Sequence, residues 1–345
     1  MLKTMIRTIA RNGGRTAVLA GAFAASALLG LPTRTVAGDT LLNVSYDPTR
    51  ELYKAIGEKF TAQWAQQTGQ KLEIKQSHGG SGTQARAVID GLDADVVTLA
   101  MWPDTDAIRK VGLISGGWES RFPNNSVPYT STIIFAVRKG NPKGIADWPD
   151  LLKPGVEIVT PNPKTSGNGK LSFLAAWGSV TERGGTPDQA KEFVTKLYQH
   201  APVLDSGARG STITFAEKKI GDVHLTWENE GRLEVAEHPG EMELVYPPIS
   251  FKAEPPVAVV DVNASRKGTT EAATAYLNYL FTPDGQEIGA KNFYRPTDQA
   301  TLQRHAADFP PLRLFPITAV AKDWNDANAK FFADGAIFDG IYAKR

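Results

Sequence analysis

From Leu41 onward, short β-branched runs alternate with amphipathic stretches of helical spacing, and this alternation limits the possible folds more than any other feature. TLLNVSY (40–46) reads as a strand. PTRELYKAIGEKFTAQWAQQTG (48–69) reads as a helix with Pro48 in its first turn and Gly69 at its end. KLEIKQS, SGTQARAVIDGL and ADVVTLA continue as strand, helix and strand. The theme returns with STIIFAVRKG and VEIVTPNP as strands, then GKLSFLAAWGSV, DQAKEFVTKLYQH and TITFAEKKIG as helices. DVHLTWENE and PPVAVVDVN close the series as strands, and the residues from TEAATAYLNYLF onward are largely helical. Such a pattern predicts an α/β chain with parallel sheets flanked by helices.

A chain of 345 residues can build two cores. Proline-containing stretches at RFPNNSVPYT and VYPPISFKAEPPV are the natural crossovers between them. The expected division is a first lobe at 38–122, a second at 123–251, and a return to the first at 252–345, which includes the C-terminal helices. Two lobes so connected leave a cleft where a small ligand can bind.

Residues 1–37 read as a signal peptide. They hold five basic residues (Lys3, Arg7, Arg11, Arg15, Arg34), no acidic ones, and a 16-residue apolar stretch from Thr16 to Leu31. That stretch is shorter than the roughly 20 residues needed to span a bilayer, and Val36-Ala37 before Gly38 fits a small-residue cleavage site. Without this segment the chain carries 33 basic and 37 acidic residues, a net charge of −4. A mildly acidic protein has no global field to attract nucleic acid, so an anion must be held by local dipoles. The chain has no cysteine, hence no disulfide, thiolate metal site or lipid-anchor cysteine. The expected location is the periplasm.

Four strand-to-helix turns carry small or polar residues: SYDPTRELY with Asp47, SHGGSGT with Ser81, PKTSGNGK with Ser166, Gly167 and Asn168, and LDSGARGST with Ser206, Gly207 and Ala208. A helix N-terminus has unpaired N–H groups and a partial positive charge, and glycine leaves them accessible. In open α/β sheets these turns share the edge where ligands bind, so four of them point to an anion site. Asp47 is expected to act as an N-cap, with its carboxylate turned from the ligand. Trp227 ends a strand, and its indole can only donate; the position fits either core or ligand contact. His78, beside the glycine loop, fits either a ligand contact or a bond to a neighbouring carbonyl. Arg209 could meet an anion or pair with a carboxylate.

Enzyme patterns fail on the same residues. KTSGNGKL lacks the first glycine and the final Ser/Thr of a phosphate-binding P-loop, and GGSGT lacks the last glycine of a nucleophile elbow. His78, His200, His224, His238 and His305 show no zinc-type pairing. Neither catalysis nor a metal or cofactor is expected.

LLNVSYDPTRELY, QSHGGSG, PYTSTIIFAVRKGNPK, VTPNPKTSGNG, LDSGARGST, GDVHLTWENE and GQEIGAKNFYRP, in this order, resemble the periplasmic sulfate-binding proteins of sulfate/thiosulfate ABC importers. The resemblance implies a two-lobed type II periplasmic-binding-protein fold whose lobes close over one oxyanion. It implies a sulfate site built from uncharged donors: backbone N–H groups of Asp47, Ser81, Gly167, Asn168 and Ala208, the Ser166 hydroxyl and the Trp227 indole. Relatives often have Gly-Gly where this chain has Gly167-Asn168, and the side-chain oxygen of Asn168 could oppose an anion if it turned inward. The implied partners are sulfate and the membrane permease subunits of an importer, the chain acting as a monomer with no nucleic acid. Thiosulfate or another tetrahedral oxyanion such as molybdate is the alternative ligand. A secreted ester hydrolase is the alternative from another class.

Overall fold

The computed structural model describes residues 39–343. The signal-peptide reading of residues 1–37 lies outside them.

The first lobe begins with β1 (Thr40–Tyr46), α1 (Arg50–Thr68), β2 (Glu73–Gly79), α2 (Ser81–Ile89) and β3 (Val96–Thr98). Gly69 ends α1 in a left-handed conformation (φ 70°) and donates its N–H to Ala65, a conformation that favours glycine. The second lobe holds β4 (Ile133–Arg138), β5 (Ile158–Pro161), α3 (Gly167–Thr181) and α4 (Pro187–Gln199). It continues through β6 (Leu204–Asp205), α5 (Ala208–Thr212), β7 (Val223–Trp227), α6 (Glu228–Glu237) and β8 (Met242–Val245). The chain then returns to the first sheet as β9 (Val257–Val259).

The sheets have orders β9-β3-β1-β2 and β6-β5-β7-β4-β8. Both are mixed, where all-parallel sheets were expected. β1 runs parallel to β2 and β3, and β5 to β6 and β7. β9 opposes β3, and β4 opposes both β7 and β8. The exceptions include the strands that receive the chain just after it crosses between lobes, where no helical crossover sets their direction. The two crossing segments pair side by side, with Ser131 and Ala253 exchanging backbone hydrogen bonds of 3.0 and 2.9 Å.

Apolar clusters cover the sheets. One around Tyr53, Phe60 and Tyr276 and another around Val97, Ile108 and Trp118 belong to the first sheet. The largest cluster, with Phe135, Trp148, Phe173 and Leu225, belongs to the second. Phe331, Phe332, Phe338 and Ile341 join that second core, not the first. Helix α3 is therefore covered on both sides, which explains why it is apolar nearly all round. A Cβ on Gly178 would lie 2.1 Å from the Phe315 ring, so the C-terminal segment packs directly on bare helix backbone.

Candidate functional site

All seven residues implied by the resemblance line one small cleft, whereas Ser206 and Gly207 of the fourth turn do not line it. Asp47 and Ser81 come from the first lobe, and Ser166, Gly167, Asn168, Ala208 and Trp227 from the second. Tyr46, Pro48, Gly79, Gly80 and Ala100 complete the lining. Ala100 has no polar side chain to signal a site; it follows β3 by two residues, and Tyr46 ends β1.

Three helices begin at this cleft. Ser81 opens α2, Gly167 and Asn168 open α3, and Ala208 opens α5. First-turn N–H groups have no acceptor within their own helix. In α3 the N-cap Ser166 accepts from Gly169 N–H through its side chain at 3.4 Å. Because the Ser166 oxygen accepts, its hydroxyl proton remains free to donate into the cleft.

Competing acceptors are engaged elsewhere. Asn168 Oδ1 accepts from the Ser172 hydroxyl at 3.1 Å, and its Nδ2 donates to the Leu225 carbonyl. The side chain is thus turned into the lobe, and asparagine presents the cleft with its backbone donor, as glycine would. Ser81 Oγ donates to Asp104 (2.5 Å) and accepts from Ala100 N–H (3.0 Å), leaving its own N–H for the cleft.

Asp47 departs from the expectation. It begins a short 3₁₀ turn (Asp47–Thr49) behind Tyr46 and does not cap a helix. The Pro48 ring fixes its own φ within the turn, and the Asp47 carboxylate receives Arg50 Nη2 at 2.7 Å. Its other oxygen faces Gly207 of the second lobe, 3.3 Å from where a Cβ there would sit.

Among the described residues, no lysine, arginine or histidine lines the cleft. Arg209, next to Ala208, turns to Glu230 (3.1 Å) and across to Glu51 of the first lobe (3.5 Å). Burial pushes the Glu230 carboxyl up to about 8, against the pull of Arg209. His78 pairs through Nε2 with Gln76 Oε1 at 2.8 Å and does not line the cleft. Trp227 is fully buried, and its indole nitrogen has no hydrogen-bond partner among the described residues. A buried donor without a partner costs about 1–3 kcal/mol, so this indole, opening on the cleft, is a place where a bound acceptor would be stabilised.

The lobes touch around the cleft at glycines as well as through side chains. A Cβ on Gly167 would lie 2.8 Å from Ala100 Cβ, and one on Gly80 would lie 3.0 Å from the Thr165 carbonyl. Asn229 Nδ2 (3.1 Å) and the Tyr294 hydroxyl (2.7 Å) both donate to the Pro48 carbonyl, and the Tyr46 ring packs on Trp227 with centroids 5.4 Å apart. A chain that reads as two α/β lobes meeting at a donor-lined cleft is a receptor for a small acceptor-rich ligand.

The chain belongs to the bacterial extracellular solute-binding proteins, whose family model matches residues 42–295. It is 54% identical over 304 residues to the sulfate-binding protein of Escherichia coli K12, covering 87% of this chain and 92% of that one. It is 48% identical over 309 residues to the thiosulfate-binding protein of Pseudomonas aeruginosa PAO1, covering 89% and 93%. The solved structure of the sulfate-binding protein SubI from Mycobacterium tuberculosis H37Rv matches with a TM-score of 0.78 and 31% identity, over 85% of this chain and 99% of that one.

Proposed function

We propose that this protein is exported to the periplasm, captures sulfate in the cleft through Asp47, Ser81, Ser166, Gly167, Asn168, Ala208 and Trp227, and delivers it to the permease subunits of an ABC importer. The observation that carries the reading is the unpartnered indole N–H of Trp227, a residue that lines, with three helix N-termini, a cleft free of basic side chains among the described residues. Helix dipoles and aligned donors stabilise a dianion without a contacting cation. Donors from both lobes meet only when the lobes are closed, so the anion favours that state and the importer can distinguish the loaded form by its shape.

Thiosulfate is the second reading, supported by the close likeness to a thiosulfate-binding relative. Its terminal sulfur is a weaker acceptor than oxygen, so a cleft lined by N–H and O–H donors favours sulfate. Hydrogen phosphate carries a proton that needs an acceptor, and the side-chain oxygens of Ser81, Ser166 and Asn168 are already engaged by neighbouring groups. Calorimetric titration of anion-free protein with sulfate, thiosulfate and phosphate tests the reading. The expected order is sulfate tightest, thiosulfate weaker and phosphate silent. Phosphate binding as tight as sulfate would mean that an acceptor, Asp47 first among them, faces the ligand. Turnover of a chromogenic sulfate or phosphate ester would replace the receptor reading with an enzymatic one.

A further inference from the structure

Two residues before Ser166, the anion turn carries a lysine that does not line the cleft. Lys164 Nζ donates to the Phe332 carbonyl (2.9 Å) and the Ala333 carbonyl (3.2 Å), lies 2.9 Å from Asp339 and 3.4 Å from Asp334, and so is held by the C-terminal segment. Sterics do not force this arrangement. A groove of ≈ 760 Å³, lined by Thr83, Asp104, Lys164, Thr165 and Lys170, lies along the same turn and leaves a released side chain room to reorient.

The other end of the tie is firmly based. Phe331 and Phe338 pack on Phe173 of α3, with centroids 5.4 and 6.1 Å apart, and Asp339 also accepts from Gly335 N–H at 2.7 Å. Within the turn itself, Asn162 accepts from Ser166 N–H at 3.0 Å through its carbonyl and from Lys164 N–H at 2.9 Å through its side chain. The lysine therefore joins the start of α3 to a segment about 170 residues away in sequence that braces the same helix.

We propose that Lys164 is a positioning residue for the anion: tied to Asp339 and Asp334, its ammonium fixes the Asn162–Ser166 turn and stays out of the cleft. Burial works against the lysine's charge, but the two carboxylates outweigh it and raise its pKa above the ordinary lysine range. A cation left free beside the site would attract any anion, whereas the tied lysine adds order without adding a charge contact. The inference rests on the proposed sulfate reading.

The test exploits opposite signs. Replacing Asp334 and Asp339 by asparagine removes negative charge and leaves the lysine held only by the Phe332 and Ala333 carbonyls, so simple charge attraction predicts tighter sulfate binding. Positioning predicts weaker binding, by about tenfold, the lower end of what losing an outer-shell partner costs a metal site. Lys164→Met should weaken binding by a similar factor, Lys164→Arg should recover most of it, and the triple variant K164M/D334N/D339N should be no weaker than K164M alone. Asp334 is fully exposed and Asp339 is 35% exposed at the side chain, so D334N/D339N is expected to keep the melting temperature of the anion-free protein. Unchanged or tighter sulfate binding by D334N/D339N overturns the proposal. Failure of the unaltered protein to bind sulfate is a different result, which removes the function reading and this inference together.

Discussion

Adding one methyl group at Gly167 tests whether the cleft closes by contact of bare backbone. A Cβ there would stand 2.8 Å from Ala100 Cβ and 3.6 Å from Ser81 Cβ. Carbon atoms in contact prefer ~3.5–4.0 Å, so the lobes must part by about 1 Å on this edge. Ala100 has no rotamer that would relieve the clash, because its Cβ is fixed to the backbone. An N–H···O distance of about 2.9 Å would then become about 3.9 Å, beyond hydrogen-bond range. The donors at stake are those of the first lobe, Asp47 and Ser81. Each bond to a charged acceptor contributes roughly 1.5–3 kcal/mol, so losing two amounts to about 3 kcal/mol or more, on the order of a hundredfold in affinity. The backbone of Gly167 lies outside the left-handed region, and alanine suits a helix better than glycine, so the anion-free protein should melt at the same temperature or slightly higher. Calorimetry with sulfate and thermal melting without it read the two effects separately. Sulfate affinity within threefold of the unaltered protein would refute the claim that closure depends on this contact.

Trp227→Phe keeps an aromatic ring against Tyr46 but removes the unpartnered indole donor. Sulfate affinity should fall by about ten- to a hundredfold with little change in melting temperature, and an unchanged dissociation constant would take Trp227 out of the site. Asn168→Gly keeps the backbone donor and loses the bonds to Ser172 and Leu225. Sulfate affinity should stay within a few fold while stability drops by about 1 kcal/mol, and a large rise in affinity would mean that the asparagine side chain opposes the anion. Glu230 is the pH-sensitive group: its carboxyl sits at about 8 in the folded chain against an ordinary 4.5. The folded state therefore holds the proton more tightly, so this group's contribution is complete below about pH 4.5 and is lost as pH rises through about 8. Glu230→Gln should flatten that part of the melting-temperature profile, and a profile parallel to the unaltered protein's across this window would refute the assignment.

The parts of this fold that local chemistry determines could be read from the sequence. Proline in a first turn, glycine at a helix end and serine-glycine runs at strand ends each act within a few residues, and all seven candidate residues come together in one cleft. Helix α6 was not legible. It follows β7 with no capping side chain, and where an apolar stripe would mark it, its buried face carries Glu228, Glu230 and Glu234. Those acids are buried only because distant residues meet them: Arg295 reaches Glu228 at 2.7 Å, Arg209 reaches Glu230, and His224 and Thr212 reach Glu234 at 2.9 and 3.0 Å. No periodicity in ten residues can announce partners supplied from elsewhere in the chain. The antiparallel strands and the docking of the C-terminal segment on α3 are hidden for the same reason.

The selectivity proposed for the cleft also has a non-local origin. Asparagine, serine and aspartate could each place an acceptor in an anion site, and all three types occur here. Ser172 occupies the Asn168 oxygen, Gly169 occupies the Ser166 oxygen, Asp104 and Ala100 occupy the Ser81 hydroxyl, and Arg50 draws one Asp47 oxygen aside. The residues that line the cleft are thus made into donors largely by residues behind it, Ser172, Gly169, Asp104 and Arg50. An oxyanion without a proton is fully satisfied in such a site, and one that carries a proton is not. Discrimination then depends on keeping each of those acceptors engaged when the lobes close, which makes Asp47, whose second oxygen faces the opposite lobe at Gly207, the residue on which it is most finely balanced.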